Sequence, residues 1–496
     1  MQDNNLKGGV SVRGTLVPLN YEKIGLKCGL EVHQQLNTKK LFCNCPSLLR
    51  QDDPDFIVAR KLHAVAGESG KVDLAVEHEV SLDKDFIYQG YNSTCLVELD
   101  ESPPREINKE ALKTALQISL LLNAKILGTT QIMRKTVVDG SNTSGFQRTV
   151  LIAQGGFIET SQGKVKIESI CLEEDSARII SNEKGIKFYR LDRLGIPLIE
   201  IATAPEIKNP SQAKEVALHI GNILRSCNVK RGIGTIRQDV NVSISKGKRI
   251  EIKGVQNPEL IKRAVENEAK RQLNLVKNKK NFDSEVRKVL LDGTTEFLRP
   301  MPGAARMYPE TDLPLLKISR KIINEVKKSL PKLRHEIEEE LRKEGLTNEL
   351  IKLVLEGYLN DFKELLKIYP KHSQLIAKML TIWRQELATK FKKDIGKVER
   401  VINMDSLERL LGEVEKGNID KGHLRQIFSN LMKNILLEDA IKKEELDMDK
   451  IEEEIMKIIK GKPGLSQNAY MGLFMKGFKG KILGKEVMDI IKKYVK

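Results

Sequence analysis

The sequence predicts a mixed α+β front body followed by an all-helical back third. Three observations carry this. From Lys23 to about Asp292, short runs alternating polar and apolar residues are interleaved with longer stretches of apolar residues at helical spacing. After Pro314 turn signals thin out, and Leu and Ile recur at helical spacing between Lys and Glu. Hydrophobic residues make up 40% and charged residues 31%, the balance of a folded chain rather than a disordered one.

In chain order, strands are expected at 72–76, 93–99, 149–153, 165–171, 240–245 and 249–252. Helices are expected at 109–122, 210–227 and 258–275. Pro210 followed by Ser211 suits a helix start. The basic run 277–281 reads as a loop or domain edge. Helical spacing then covers 319–369 and 371–411, with Pro331 capping or interrupting a helix. Several short helices are expected over 420–496, joined at the Gly461-Lys462-Pro463-Gly464 turn. No internal repeat stands out.

A chain of 496 residues exceeds one ordinary core, so roughly three domains are expected. No stretch approaches the ~20 apolar residues of a membrane span, and no apolar signal segment opens the chain, so a cytoplasmic location is expected. Six scattered cysteines do not suggest a disulfide framework. The net charge of +16 would attract a polyanion, but many lysine-rich proteins share it and it names no partner.

Six short runs place carboxylates, a histidine or glycines in strand-like sequence: 29–33, 139–145, 171–175, 195–200, 237–241 and 250–254. Alternation puts Glu31 and His33 on one face of a strand. Ile250-Glu251-Ile252-Lys253 repeats the pattern. Unpaired acids are costly to bury, so their recurrence on strands suggests one shared acidic pocket, and a metal–nucleotide site explains it economically. Glu31, Glu173, Glu174, Glu200, Asp239 and Glu251 could supply the hard oxygen ligands that Mg2+ needs, with His33 as a ligand or orienting group. Any one of these acids alone would read as a solvated surface group. Glu200 after Pro197-Leu198-Ile199, and Glu251 between two isoleucines, tip the set toward a site.

The Asp139-Gly140-Ser141-Asn142-Thr143-Ser144-Gly145 run offers backbone N–H and hydroxyl donors that could wrap a phosphate or carboxylate. It is equally an ordinary turn, and it lacks the Gly-Lys-Ser/Thr ending of a P-loop. Arg148 and Arg237 could grip phosphate or carboxylate oxygens, or form structural ion pairs. Cys43 and Cys45 are two close soft ligands, but zinc wants four and no second pair follows; Cys28 and Cys95 read as buried small hydrophobes. Trp383 is expected to pack a helix face.

Longer motifs give a resemblance. CGLEVHQQL from Cys28, LFCNCP from Leu41, STCLVELDESPP from Ser93 and DGSNTSGFQRT from Asp139 carry its first part. ICLEEDSARI from Ile170, GIPLIEIATAPEI from Gly195, RQDVNVSI from Arg237, RIEIKGVQN from Arg249 and LRPMPGAARMYPETDLP from Leu298 continue it. Over nearly the whole chain the sequence resembles the B/E subunit family of tRNA-dependent amidotransferases, nearer the archaeal E type that acts on Glu-tRNA(Gln).

The resemblance implies ATP- and Mg2+-dependent phosphorylation of the glutamyl side chain, then displacement of phosphate by ammonia. It places Glu31, His33, Glu173, Glu174, Glu200, Asp239 and Glu251 at the metal. Glu31, His33 and Arg237 take catalytic positions, and Ser141, Thr143, Ser144 and Arg237 hold ATP or the glutamyl end. It implies an asparaginase-like glutaminase of the D type as ammonia source, in a heterotetramer of two D-type and two E-type chains. It divides the chain into a catalytic body (1–297), a helical cradle (298–418) and a small tail contacting tRNA (419–496). Gln467-Asn468-Ala469-Tyr470-Met471-Gly472, with Met475, Lys476, Gly480 and Lys481, resembles the tail motif.

One departure matters: the E type usually carries an inserted synthetase-like domain, yet about 20 residues join 275 to 298 here. That leaves open a B-type protein working with A-type and C-type partners, and a noncatalytic tRNA-binding scaffold. A metal-dependent nuclease would also use such acids.

Overall fold

The computed structural model describes residues 19–63, 70, 72, 74–183, 185–301, 303, 307–441, 448–478 and 484–495. The chain forms two compact units, Met1–Arg334 and His335–Lys496. The first is α+β and the second helical, as expected from the two hydrophobic periods.

An eleven-stranded sheet organises the first unit. Its path runs Thr295–Pro300, Glu285–Val289, Ile250–Lys253, Ile236–Ser243, Lys27–Gln35, Pro197–Thr203, Gly163–Glu174, Phe146–Thr160, Ile132–Thr136, Met307–Pro309. Lys125–Ile126 pairs beside that path with Phe146–Thr160. Neighbours are antiparallel except Ile250–Lys253 against Glu285–Val289, so the sheet is mixed. Strand Lys27–Gln35 sits mid-sheet, although the chain places its partners some 170 and 210 residues later.

Alternation on these strands sorts apolar from polar side chains. Leu30, Val32, Val150, Ile170, Leu172, Ile201, Val240, Val242, Ile250 and Ile252 are buried in one core with Leu116, Val216, Ile220, Ile261 and Val265. Those last five belong to helices Lys109–Leu121, Pro210–Ser226 and Pro258–Lys277. Each of these helices has an asparagine N-cap: Asn108, Asn209 and Asn257 accept backbone N–H groups, and Pro210 and Pro258 occupy the first turn. The opposite face of the central strands carries Glu31, His33, Glu200, Asp239 and Glu251.

Two expected strands are not formed. Residues 74–81 make the helix Leu74–Ser81, and 93–99 fold into successive turns closed by Glu98 N–H to Cys95 O and Thr94 N–H to Tyr91 O. Alternating composition is compatible with a turn where local hydrogen bonds satisfy the backbone. A second sheet of Phe56–Arg60, Asp85–Gly90, Ile186–Arg190 and Arg178–Glu183 lies outside the expected set. The 275–298 connector is built as a hairpin, Glu285–Val289 with Thr295–Pro300, that extends the main sheet. The boundary expected after 297 therefore falls inside a strand, and the first unit runs on to Arg334.

In the second unit, one core spans Leu341 to Ala440 and a separate one spans Ile451 to Ile491. The division expected at 418/419 lies within the first of these, because helical spacing marks buried faces but not which helices share them. Trp383 packs edge-on against Phe428, 5.7 Å between ring centres. Helix Gln467–Phe478 carries most of the tail motif; Gly480 and Lys481 lie outside the described residues. Among the described residues, no helix is long and apolar enough to cross a membrane.

Candidate active site

The central strand fixes the site. Register sets Glu31 opposite Asp239, and His33 opposite Glu200 on one side and Arg237 on the other. Asn241 lies opposite Glu251 one strand further on, while Glu173 lies opposite Leu198. Such cross-strand neighbours stand close enough for side chains to meet. Long-range pairing thus gathers Glu31, His33, Glu173, Glu200, Asp239 and Glu251 on one wall of a cavity of about 550 Å³.

The acids fall into two trios, His33/Glu173/Glu200 and Glu31/Asp239/Glu251. In each, the possible ligand atoms lie within 4.8 Å of one another. His33 Nε2 is 3.2 Å from Glu200 Oε2. Glu173 accepts Lys135 Nζ at 2.7 Å, Thr149 Oγ1 at 2.9 Å and Gln147 Nε2 at 3.0 Å. Lys253 Nζ bridges Asp239 Oδ2 at 2.7 Å and Glu251 Oε1 at 2.5 Å. Asn241 Nδ2 donates to Glu31 Oε1 at 2.9 Å. Oxygen-rich trios with one imidazole fit a hard divalent cation such as Mg2+.

Electrostatics separate the members. Burial drives the Glu31 carboxyl pKa up, and the charges of Glu200 and Glu251 add to it. Burial also opposes ionisation of Glu200, yet Lys135 and the His33 hydrogen bond outweigh it and hold Glu200 well below its usual value. For His33, burial disfavours the imidazolium, but Glu200, with Asp239 and Glu173 behind it, moves the pKa up.

The loop after Asp139 reaches the same cavity through Ser141. Gly140 has φ +90°, and a Cβ there would collide with the Phe86 ring. The second sheet holds this loop: Tyr88 Oη donates to Gly140 O and Tyr189 Oη to Asp139 O, each at 2.8 Å. Thr143 and Ser144 do not line the cavity. Their hydroxyls donate instead to the carbonyls of Glu98 and Phe146. Arg237 does line it, and Asp175 anchors the guanidinium at 2.7 Å.

Glu174 does not join the acidic wall either. Its neighbour Glu173 faces the cavity, so alternation turns Glu174 to the other side of the sheet. There Arg148 Nη1 pairs with Glu174 Oε2 at 3.3 Å, while Arg148 Nε donates to Glu310 Oε2 at 2.8 Å. Arg148 is thus an internal ion-pair partner. Sequence reading missed Lys135, Lys253, Gln147 and Asp175; Lys253 had a visible signal, standing two residues after Glu251 in an alternating run.

A further cluster lies apart in the same unit. The 93–99 turns bring Cys95 and Glu98 to Cys43 and Cys45, all four ligand atoms within 4.8 Å. The buried Lys40 ammonium is ion-paired with Glu98.

Residues 26–324 match the GatB/GatE catalytic domain family. Curated relatives extend the match. The chain is 37% identical to the E subunit of a glutamyl-tRNA(Gln) amidotransferase from Methanocaldococcus jannaschii, covering 96% of this chain and 99% of that protein. Proteins of the same name from Methanosarcina acetivorans (33%, covering 96% and 98%) and Methanothermobacter thermautotrophicus (34%, covering 92% and 94%) are similar throughout. The M. jannaschii alignment runs over 631 positions, so that relative carries sequence this 496-residue chain lacks.

Membership in this family makes the chain an ATP-dependent ligase of the amidotransferase class. The chain belongs to the GatB/GatE family, in the E-type branch of the archaeal Glu-tRNA(Gln) amidotransferases.

Proposed function

We propose that this chain phosphorylates the side-chain carboxylate of glutamate esterified to tRNA(Gln), then amidates it to give Gln-tRNA(Gln). The carrying observation is the alignment of both acidic trios, Arg237 and Ser141 on one cavity. A carboxylate is a poor electrophile. Transfer of the ATP γ-phosphoryl group to a carboxylate oxygen releases ADP and gives an acyl phosphate. Ammonia then forms the C–N bond as phosphate leaves.

Each group has a role in this reading. Glu31, His33, Glu173, Glu200, Asp239 and Glu251 would hold Mg2+, which when bound neutralises developing phosphate charge. Arg237, steadied by Asp175, stabilises phosphoryl oxygens through fixed donors. Ser141 offers a hydroxyl to the nucleotide or glutamyl end.

Ammonia would come from an asparaginase-like glutaminase of the D type, in an assembly of two D-type and two E-type chains in the cytoplasm. The helical second unit, with the tail helix Gln467–Phe478, would cradle and contact tRNA through its basic surface.

The test supplies purified chain with Mg2+, ATP, Glu-tRNA(Gln) and ammonium, so that no glutaminase is needed. ATP-dependent Gln-tRNA(Gln), lost in folded Asp239→Ala and Glu251→Ala variants, supports the reading. tRNA binding without turnover, even after adding the D-type glutaminase, overturns it in favour of a scaffold.

A further inference from the structure

The two trios differ in how lysine meets them. In the first trio Lys135 Nζ bonds Glu173 at 2.7 Å and stands 3.8 Å from Glu200, which keeps His33. Lys253 comes closer to its trio, within hydrogen-bond distance of two of the three members, Asp239 and Glu251. Its stem arises from the same alternating run as Glu251, so its ammonium is delivered between those carboxylates by the pleat itself. The third member, Glu31, is held separately by Asn241 at 2.9 Å and faces Arg249 at 3.7 Å.

We infer that Lys253 is a built-in plug of the Glu31/Asp239/Glu251 seat, and that a divalent cation enters this seat only as the Lys253 ammonium leaves it. Like charges repel strongly at contact distance in a half-buried site, so ammonium and cation compete for the same Asp239 and Glu251 oxygens. The side chain has somewhere to go. It is about one-third exposed (31%) and lines the open cavity beside Gly254 and Gln256. A polyanionic nucleotide in the cavity supplies the competing partner: phosphate oxygens accept Lys253 Nζ while the vacated carboxylates take the cation. Nucleotide and second cation therefore bind with positive coupling, and the free enzyme does not carry an open three-acid seat. The inference rests on the metal–nucleotide reading of this cavity.

The test is Mn2+ binding to the nucleotide-free full chain, followed by the electron paramagnetic resonance signal of free Mn2+. Lys253→Met should bind a second Mn2+ about tenfold or more tighter than the native chain. Asp239→Asn in the Lys253→Met background should erase the gain, and Lys253→Arg, which keeps a cation in place, should match the native chain. A Mn2+-induced rise in melting temperature, larger for Lys253→Met than for the native chain, checks the same point on folded protein. Equal Mn2+ affinity and stoichiometry in native and Lys253→Met overturns the plug. If that equality accompanies ATP-dependent Gln-tRNA(Gln) formation, the plug alone fails. Absence of Mn2+ binding in every variant overturns the plug and the metal reading together.

Discussion

Glu173 and Glu174 are consecutive residues that serve opposite faces of one sheet. Glu173 accepts Lys135 Nζ at 2.7 Å on the cavity wall, whereas Glu174 meets Arg148 at 3.3 Å behind it. Their chemistry should therefore separate. Glu173→Gln is expected to lower amidation roughly 100-fold and to weaken its Mg2+ dependence, beyond any stability lost with the Lys135, Thr149 and Gln147 contacts. Glu174→Gln is expected to cost about 1–3 kcal/mol of stability while leaving Mg2+ dependence unchanged. Kinetics and denaturant melts on both proteins decide it, and matched effects would refute the division of roles.

Glu310 ties the far strand to this ion pair. It accepts Arg134 through both oxygens and Arg148 Nε at 2.8 Å, and it is almost fully buried. Burial pushes its pKa up, but Arg134 and Arg148 prevail and hold it below its usual 4.5. The depressed folded pKa means the carboxylate stabilises the fold above about pH 4.5, and this is lost as pH falls through the folded value. Glu310→Gln should remove about 3 kcal/mol at neutral pH and flatten the acid limb of the stability curve. An unchanged acid limb would contradict this.

Gly140 is predicted to be intolerant of a side chain. Gly140→Ala adds a Cβ into the Phe86 ring at a positive φ, so about 1–3 kcal/mol should be lost. Because Ser141 follows directly, the KM for ATP should rise more than kcat falls. Phe86→Leu in the same background should restore part of the stability. No rescue would mean that strain at φ +90°, rather than the clash, dominates.

Arg237 should act through a fixed fork. Arg237→Lys keeps the charge but loses the geometry anchored by Asp175 at 2.7 Å, so about a tenfold fall in kcat/KM is expected. Asp175→Asn should give a similar fall, and the double variant should be less than additive. Full additivity in a double-mutant cycle would show that the two residues act separately.

Much of the site was legible because alternation is a local property. Glu31 with His33, and Glu251 between two isoleucines, declare a polar face on otherwise apolar strands. The helices at 109–122, 210–227 and 258–275 were legible from their own apolar spacing, with Pro210 marking one start, whereas the Asn108, Asn209 and Asn257 caps emerged only in the structure. Sequence by itself thus determined the α+β body, the helical back, the family and most of the acidic set.

Tertiary structure alone decided which face each acid occupies and which cation it meets. Glu174 looked equivalent to Glu173 until strand pairing turned it toward Arg148, and Thr143 and Ser144 looked like ligand donors until nearby carbonyls took their hydroxyls. Cys95 and Glu98 reached Cys43 only through turns that composition read as a strand. The connector before Leu298 became sheet because Glu285–Val289 found the open edge of Ile250–Lys253. The reason is physical: a strand's period is written in its own residues, whereas its register and neighbours are set by hydrogen bonds to segments up to about two hundred residues away.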